Sequence, residues 1–153
     1  MWTRIRTSAA HGRALRLTVL LALAALVGAA LLGLAGCRAP QASLDGTAWT
    51  LTGWRLSALR PDDFGITALF EDGRIGGHSG VNSYGAAYTL GPGDAFALGE
   101  IESTLMAGSA EDMQAEASYL ELLRSAIRYS LSSDALILYD GDGNELLIYG
   151  VAP

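Results

Sequence analysis

Cysteine and histidine are scarce in this sequence. Cys37 is the only cysteine, and His78 is the only histidine that follows it. A disulfide within the chain is therefore excluded, and a zinc site would lack its usual thiol and imidazole ligands. We expect no metal and no cofactor, and a fold whose stability rests on packing.

Positive charge is scarce as well. Lysine is absent, and only six arginines follow Cys37, against sixteen acidic residues, which gives that part of the chain a net charge of −10. Nucleic-acid phosphates and anionic lipid headgroups repel such a surface. We therefore expect no nucleic-acid partner and no attachment to a membrane through charge.

Residues 1–36 have the pattern of a secretion signal. Four arginines precede an apolar run over residues 17–33, and Leu34-Ala35-Gly36-Cys37 follows it. This ending resembles a bacterial lipobox, which implies that Cys37 is lipidated and becomes the first residue of the mature protein. The lipid would anchor the domain in the cell membrane or the outer membrane, facing away from the cytoplasm. The alternative is an uncleaved transmembrane helix, because about 20 residues can cross a bilayer core of about 30 Å.

One domain is expected after the anchor. Residues 37–43 contain Pro40 and no hydrophobic period, which predicts a short linker, and residues 44–153 suffice for a single core. Alternating apolar residues and turn signals predict strands at residues 49–56, 66–70, 74–78, 82–90, 95–101, 129–131, 135–139 and 146–149. Asp72-Gly73 predicts a tight hairpin turn between the second and third of these strands.

One helix interrupts the strands. It is predicted to begin after Ser109, which forms a capping-box pattern with Asp112, and to run for about 17 residues. Its apolar stripe is predicted at Met113, Ala117, Leu120 and Leu123, widened by Tyr119 and Leu122. Strands, one helix and strands again, all with short connections, predict an α+β fold: a curved, mainly antiparallel β-meander sheet with one amphipathic helix packed across it.

The order of motifs resembles the META domain family, which includes HslJ-like heat-shock lipoproteins. The resemblance rests on residues 70–88 (FEDGRIGGHSGVNSYGAAY), residues 103–107 (STLMA), residues 116–119 and the terminal LLIY. It implies a role linked to heat stress, antibiotic tolerance and the cell envelope. It supplies no catalytic residue, because the family has no established reaction.

The chain departs from the family at two positions. Relatives usually have cysteines where this chain has Val81 and Gly108. No thiol-based role can therefore be carried over. Because both cysteines are missing together, we expect these two positions to be neighbours in the fold.

Glu116 matches a glutamate of the family pattern and lies just before Ala117 of the predicted stripe. The resemblance suggests that it meets Asn82 or Thr104 in a small polar cluster that ties a bend of the sheet to the helix. Two alternatives remain: a solvated helix carboxylate, and a ligand-binding residue.

Two other motifs suggest chemistry at first sight. Gly76-Gly77-His78-Ser79-Gly80 fits neither a nucleophile elbow nor a dinucleotide-binding loop, which favours a bend in the sheet over a hydrolase site at Ser79 and His78. Residues 140–145 are rich in acidic side chains but lack the glycine and glutamate positions of an EF-hand. We expect a hairpin turn there.

These observations predict a non-enzymatic envelope lipoprotein with an interaction or stress-protective role. Its partners would be the membrane, through the lipid anchor, and an envelope protein or a small ligand. The alternative is a small-ligand-binding or protein-inhibitor module that uses the open face of the sheet. An exposed apolar patch of more than a few hundred Å² would favour binding.

Overall fold

The computed structural model of the protein describes residues 43–55 and 59–152. The predicted signal and the predicted lipidation site at Cys37 lie outside these ranges. Within them, the elements in chain order are β1 (Thr47–Trp54), a 3₁₀ helix (Pro61–Phe64), β2 (Thr67–Glu71), β3 (Arg74–His78), β4 (Ser83–Gly91), β5 (Ala95–Leu98), β6 (Glu102–Ser103), α1 (Ala110–Ser125), β7 (Arg128–Leu131), β8 (Ala135–Tyr139) and β9 (Glu145–Val151). No helix in the described part of the chain is long and apolar enough to cross a bilayer.

The sheet closes into a barrel. Its antiparallel strands follow the order β3-β2-β1-β9-β8-β7-β5-β4, and β4 pairs back with β3. These eight strands form the barrel, and β6 is a ninth strand that pairs only with β4. The prediction of an open, curved meander sheet was therefore wrong in this respect, whereas the mainly antiparallel strands and the single helix agree with it.

Closure depends on one short contact between distant strands. Ala95 of β5 pairs with Arg128 of β7, and two further backbone hydrogen bonds, Phe96 N–H to Ile127 and Tyr129 N–H to Asp94, flank that pair. The twist of eight neighbouring strands brings these two edges together. Local sequence patterns carry no sign of such a pairing, because α1 separates the two strands along the chain.

Short-range signals are well placed in the structure. Asp72 and Gly73 have φ angles of 51° and 72°, which a two-residue hairpin turn between β2 and β3 requires. Ser109 is the N-cap of α1, and its hydroxyl accepts the backbone N–H of Asp112 at 3.1 Å. Both local predictions are confirmed.

The helix packs on the barrel through part of the predicted stripe, since Tyr119, Leu120 and Leu123 are buried as predicted. Met113 and Ala117 are exposed, although periodicity assigned them to the core. The buried residues of α1 are Ala115, Glu116, Tyr119, Leu120 and Leu123. The stripe is rotated because a carboxylate, Glu116, occupies one of the inward positions. Its burial depends on hydrogen bonds that helical periodicity does not register.

Candidate functional site

A buried polar cluster joins α1 to the turn that leads into β4. It consists of the buried side chains of Ser79, Asn82 and Glu116, together with the hydroxyl of the exposed residue Thr104, which donates to Asn82. Gly80 gives this turn a backbone φ of +120°, which glycine adopts readily and other residues rarely adopt. We call this group the Glu116 cluster.

Glu116 accepts four hydrogen bonds. Its Oε2 atom accepts the Ser79 hydroxyl at 2.6 Å and the backbone N–H groups of Asn82 at 2.7 Å and Val81 at 3.2 Å. Its Oε1 atom accepts the Asn82 side-chain amide at 2.8 Å. No arginine or histidine pairs with Glu116 in the described ranges, so neutral donors alone stabilise the carboxylate.

The pKa of Glu116 reflects a balance of burial and hydrogen bonding. Burial raises the pKa of the carboxyl, because desolvation disfavours its charged form. The hydrogen bonds from Ser79, Asn82 and Val81 favour the charged form and outweigh the burial, so the pKa lies below its usual value. Glu116 is therefore ionised at neutral pH.

Asn82 uses every hydrogen-bonding position of its side chain. Its Nδ2 atom donates to Glu116 and, at 3.3 Å, to the carbonyl of Met106. Its Oδ1 atom accepts the Thr104 hydroxyl at 2.8 Å and the Met106 N–H at 2.7 Å. An amide has two donor hydrogens and two acceptor positions, and all four are occupied here.

The structure brings the three predicted residues together in a chain of contacts. Asn82 is the centre: it bonds Glu116 on one side and Thr104 on the other, whereas no hydrogen bond joins Glu116 to Thr104 directly. Ser79 is a member that the sequence analysis missed. It is fully buried, and its hydroxyl donates a hydrogen bond to Glu116. Ser79 is therefore not placed as a nucleophile with His78 as its base.

The cluster fixes an exposed apolar segment. Asn82 binds both backbone polar groups of Met106, and the Thr104 N–H donates to the Ser83 carbonyl at 3.0 Å. Between these fixed residues, the Leu105 side chain is 98% exposed, and Met106 is 57% exposed. A large apolar side chain is thus held in water by partly buried hydrogen bonds on both sides of it.

A groove of about 750 Å³ runs between this segment and α1. One wall is residues 103–107, and the other is the exposed face of the helix. The helix residues that line it are Met113, Glu116, Ala117, Leu120, Glu121 and Arg124. We call it the Leu105 groove. Its volume falls within the range of about 300–1,000 Å³ typical of ligand sites.

Val81 and Gly108 are neighbours, as the sequence analysis predicted. A Cβ built on Gly108 would lie 2.6 Å from Val81 Cγ2 and 3.5 Å from Val81 Cβ. Valine fills the space that a side chain at position 108 would occupy. The contact between Val81 and Gly108 connects the turn before β4 to the chain just before α1.

Asp140, an acidic residue of the β8–β9 turn, is hydrogen-bonded within that turn. Asp140 accepts the backbone N–H groups of Asp142 and Asn144 and pairs with Arg55 at 2.7 Å. Hydrogen bonds from Asn144 are the main cause of a pKa below the usual value at Asp140. Among the described residues, no group of three or more His, Cys, Asp and Glu is placed to hold a metal ion.

Residues 42–152 match the family model described as META domain. A solution structure of a protein from Burkholderia xenovorans is 24% identical, has a TM-score of 0.61, and aligns over 71% of this chain and 83% of that one. A crystal structure of a DUF4847 family protein from Bacteroides vulgatus is 14% identical, has a TM-score of 0.51, and aligns over 70% and 93%. No curated protein matches the chain significantly.

Proposed function

Because this chain belongs to the META domain family, we propose that it is a lipid-anchored, non-enzymatic binding domain of the bacterial cell envelope. The observation that carries the proposal is the fixed exposure of Leu105, which stands at the edge of the Leu105 groove. Folding alone does not favour a solvent-exposed leucine whose two neighbours are held by partly buried hydrogen bonds. Binding a partner does favour it, because the ordering of the segment is already complete before association.

The Glu116 cluster acts as a support in this proposal. Asn82 has no free hydrogen-bonding position, and Glu116 is already bonded by four donors. A ligand at the cluster would have to displace internal hydrogen bonds and leave buried groups unsatisfied. The neighbouring apolar groove can accept a partner without that penalty.

The proposed anchor is a diacylglyceryl group on Cys37. The lipobox pattern supports it, and the net charge of −10 after Cys37 makes electrostatic attachment unfavourable. Cys37→Ser should abolish labelling by a fatty-acid probe, and Cys37→Ala is the matched second variant. Undiminished labelling of both variants would exclude this site. Whether the binding function protects the cell against stress depends on which partner the domain binds.

A small apolar ligand is the second candidate occupant, because the volume of the groove suits one. The inner face of the described barrel is filled by core side chains such as Leu51, Ile75 and Leu138, which leaves no room for a ligand there. Any binding module of this chain would use the groove beside α1 instead.

Site-specific photocrosslinking in the intact envelope tests the binding function. A photoreactive residue at position 105 should give discrete adducts, and the same residue at position 69 is the control, because Leu69 is exposed on β2 and does not line the groove. Ala117→Glu, which places a charge in the groove, should abolish the adducts from position 105. Equal adducts from both positions, or adducts that survive Ala117→Glu, would contradict the proposal.

A further inference from the structure

The barrel leaves one strand edge unpaired beside the Leu105 groove. β6 pairs with β4 along one edge, and no strand of the described chain follows it in the sheet order. The space beyond that edge is the groove, and α1 forms its opposite wall. An open strand edge next to an apolar surface is the arrangement to which an extended peptide can add as a further strand.

β6 ends at Ser103, but the residues that follow it stay hydrogen-bonded to Asn82 and Ser83. The Thr104 N–H points to β4, where it donates to the Ser83 carbonyl, and both polar groups of Met106 bind the Asn82 side chain. Asn82 therefore takes the place of one more residue of β4. Thr104 and Met106 both bond toward the β4 side, and successive residues of an extended chain direct their backbone groups to opposite sides. We therefore expect the polar groups of Ser103 and Leu105 to face the groove.

Leu105 has no hydrogen-bond partner within the described residues, although its neighbours on both sides are bonded. With the alternation described above, its N–H and C=O groups are expected on the groove side together with those of Ser103. The two residues offer one donor and one acceptor each, about 7 Å apart along the chain. This spacing matches the hydrogen-bonding residues of an antiparallel partner strand.

The charges around this edge define the partner further. Glu100 and Glu102 are exposed at the start of the segment, and Glu102 pairs with Arg74 at 3.3 Å. Glu121 lies in the groove with Arg124. The remainder of the chain after Cys37 is also acidic. Basic side chains on the occupant would therefore be attracted, and acidic ones repelled.

We propose that residues 102–106 form a strand-addition site for an extended protein segment with apolar residues at alternate positions and a net positive charge. The alternate apolar side chains would pack on Met113, Ala117 and Leu120 across the groove. Backbone hydrogen bonds to Ser103 and Leu105 would set the register. This inference rests on the proposed binding function of the Leu105 groove and names its partner class.

The probe is a fluorescent ten-residue peptide with leucine at odd positions and threonine or arginine at even positions. It would be titrated by anisotropy against the full chain in phosphatidylcholine nanodiscs, with empty nanodiscs as the blank. Three control peptides have the same leucines placed contiguously, glutamate in place of arginine, or N-methyl groups on alternate backbone nitrogens. The affinity of each control peptide should be lower by about fivefold or more, because each lacks the alternation, the positive charge or the backbone N–H groups that the site recognises.

Leu105→Pro is the protein variant that isolates the backbone contact. It removes an outward-facing N–H that the fold does not use, and proline is tolerated at such edge positions. The affinity should fall about fivefold or more. Leu105→Ala keeps the N–H and should lose less, and Leu69→Ala is the matched control and should lose nothing. The N-methylated peptide gives the same information on the unmodified protein.

The outcomes separate this inference from the function on which it rests. Binding that Ala117→Glu abolishes, but that Leu105→Pro and N-methylation leave intact, would keep the groove and overturn strand addition. Equal binding of the alternating and contiguous peptides would overturn the partner class. Absence of any peptide binding would overturn strand addition alone, because crosslinking from position 105 tests the binding function of the groove independently. Binding unaffected by either variant would contradict both.

Discussion

Asn82 and Glu116 are joined by two hydrogen bonds, one from the Asn82 backbone N–H to Oε2 at 2.7 Å and one from its side-chain amide to Oε1 at 2.8 Å. The first bond connects α1 to the beginning of β4. The second orients the amide, whose other atoms hold Met106 and Thr104. A carboxylate in the helix thus determines the conformation of a segment on the barrel edge.

This pair should behave as one energetic unit. Glu116→Gln places an amide nitrogen where donors converge and should cost roughly 1–3 kcal/mol of unfolding free energy. Asn82→Ala should cost a similar amount, and the double variant should cost less than the sum of the two, by roughly 0.5–3 kcal/mol. Denaturant unfolding measures all three. Glu116→Gln combined with the distant Leu69→Ala should be additive, and additivity of both pairs would refute the coupling.

Stability should fall in acid through the same carboxylate. The pKa of Glu116 is lower in the folded than in the unfolded chain, where it is about 4.3. Its stabilisation is therefore complete above the unfolded pKa and is lost as the pH falls through the folded pKa. Glu116→Gln should flatten the unfolding free energy below about pH 4.5.

Asp140 provides the comparison, because its pKa is lowered as well, so that its contribution to stability is also lost in acid. Asp140→Asn should retain the acid loss that comes from Glu116. If Glu116→Gln and the parent lost stability in parallel between pH 5 and about pH 2, the carboxylate would not be stabilised as described.

Val81 and Gly108 should accept the disulfide that their positions suggest. The expected Cβ separation of 3.5 Å lies within the range of about 3.5–4.5 Å found in disulfides. The bridge in Val81→Cys/Gly108→Cys would close a loop of about 27 residues and add about 3–4 kcal/mol by the chain-entropy relation. Unfolding with and without reductant measures the difference. Val81→Cys alone should show none, and a double variant that keeps two free thiols would disprove the contact.

Three buried tyrosines should respond unequally to loss of the hydroxyl. Tyr84 donates to the Thr67 carbonyl, so Tyr119 must donate to Tyr84 at 2.6 Å and Tyr149 must donate to Tyr119 at 3.1 Å. Burial raises the pKa of all three, so they stay protonated. Tyr149→Phe leaves no donor hydrogen without an acceptor.

Tyr119→Phe, in contrast, leaves the hydroxyl hydrogen of Tyr149 without an acceptor. It should therefore cost more unfolding free energy than Tyr149→Phe, by roughly 1 kcal/mol or more. Thermal or denaturant unfolding of the two single variants decides the order. The reverse order would show that the hydrogen bonds run in the opposite direction.

The sequence predicted what depends on near neighbours. Asp72-Gly73 and Ser109 act through backbone geometry within a few residues, and both lie where their chemistry requires. Barrel closure at Ala95 and Arg128 depends on the summed twist of eight strands, which no local pattern records. The sheet was therefore predicted to be open.

The candidate site shows the same division. A family pattern was enough to name Asn82, Thr104 and Glu116. It did not show that Asn82 lies between the other two, because that depends on which way its side-chain amide points. Ser79 was missed because a serine next to glycine is typical of a turn in any case. Leu105 gave no signal, since its exposure follows from the hydrogen bonds of its neighbours.

Amide hydrogen exchange at two adjacent residues tests the central claim most directly. Met106 and Leu105 are both exposed, but only the Met106 N–H is hydrogen-bonded, to Asn82 Oδ1. Residue-resolved exchange by NMR should show slow exchange at Met106 and fast exchange at Leu105, and Asn82→Ala should make Met106 fast as well. Fast exchange at both residues in the unaltered protein would contradict the account, because the Glu116 cluster would then not hold the segment.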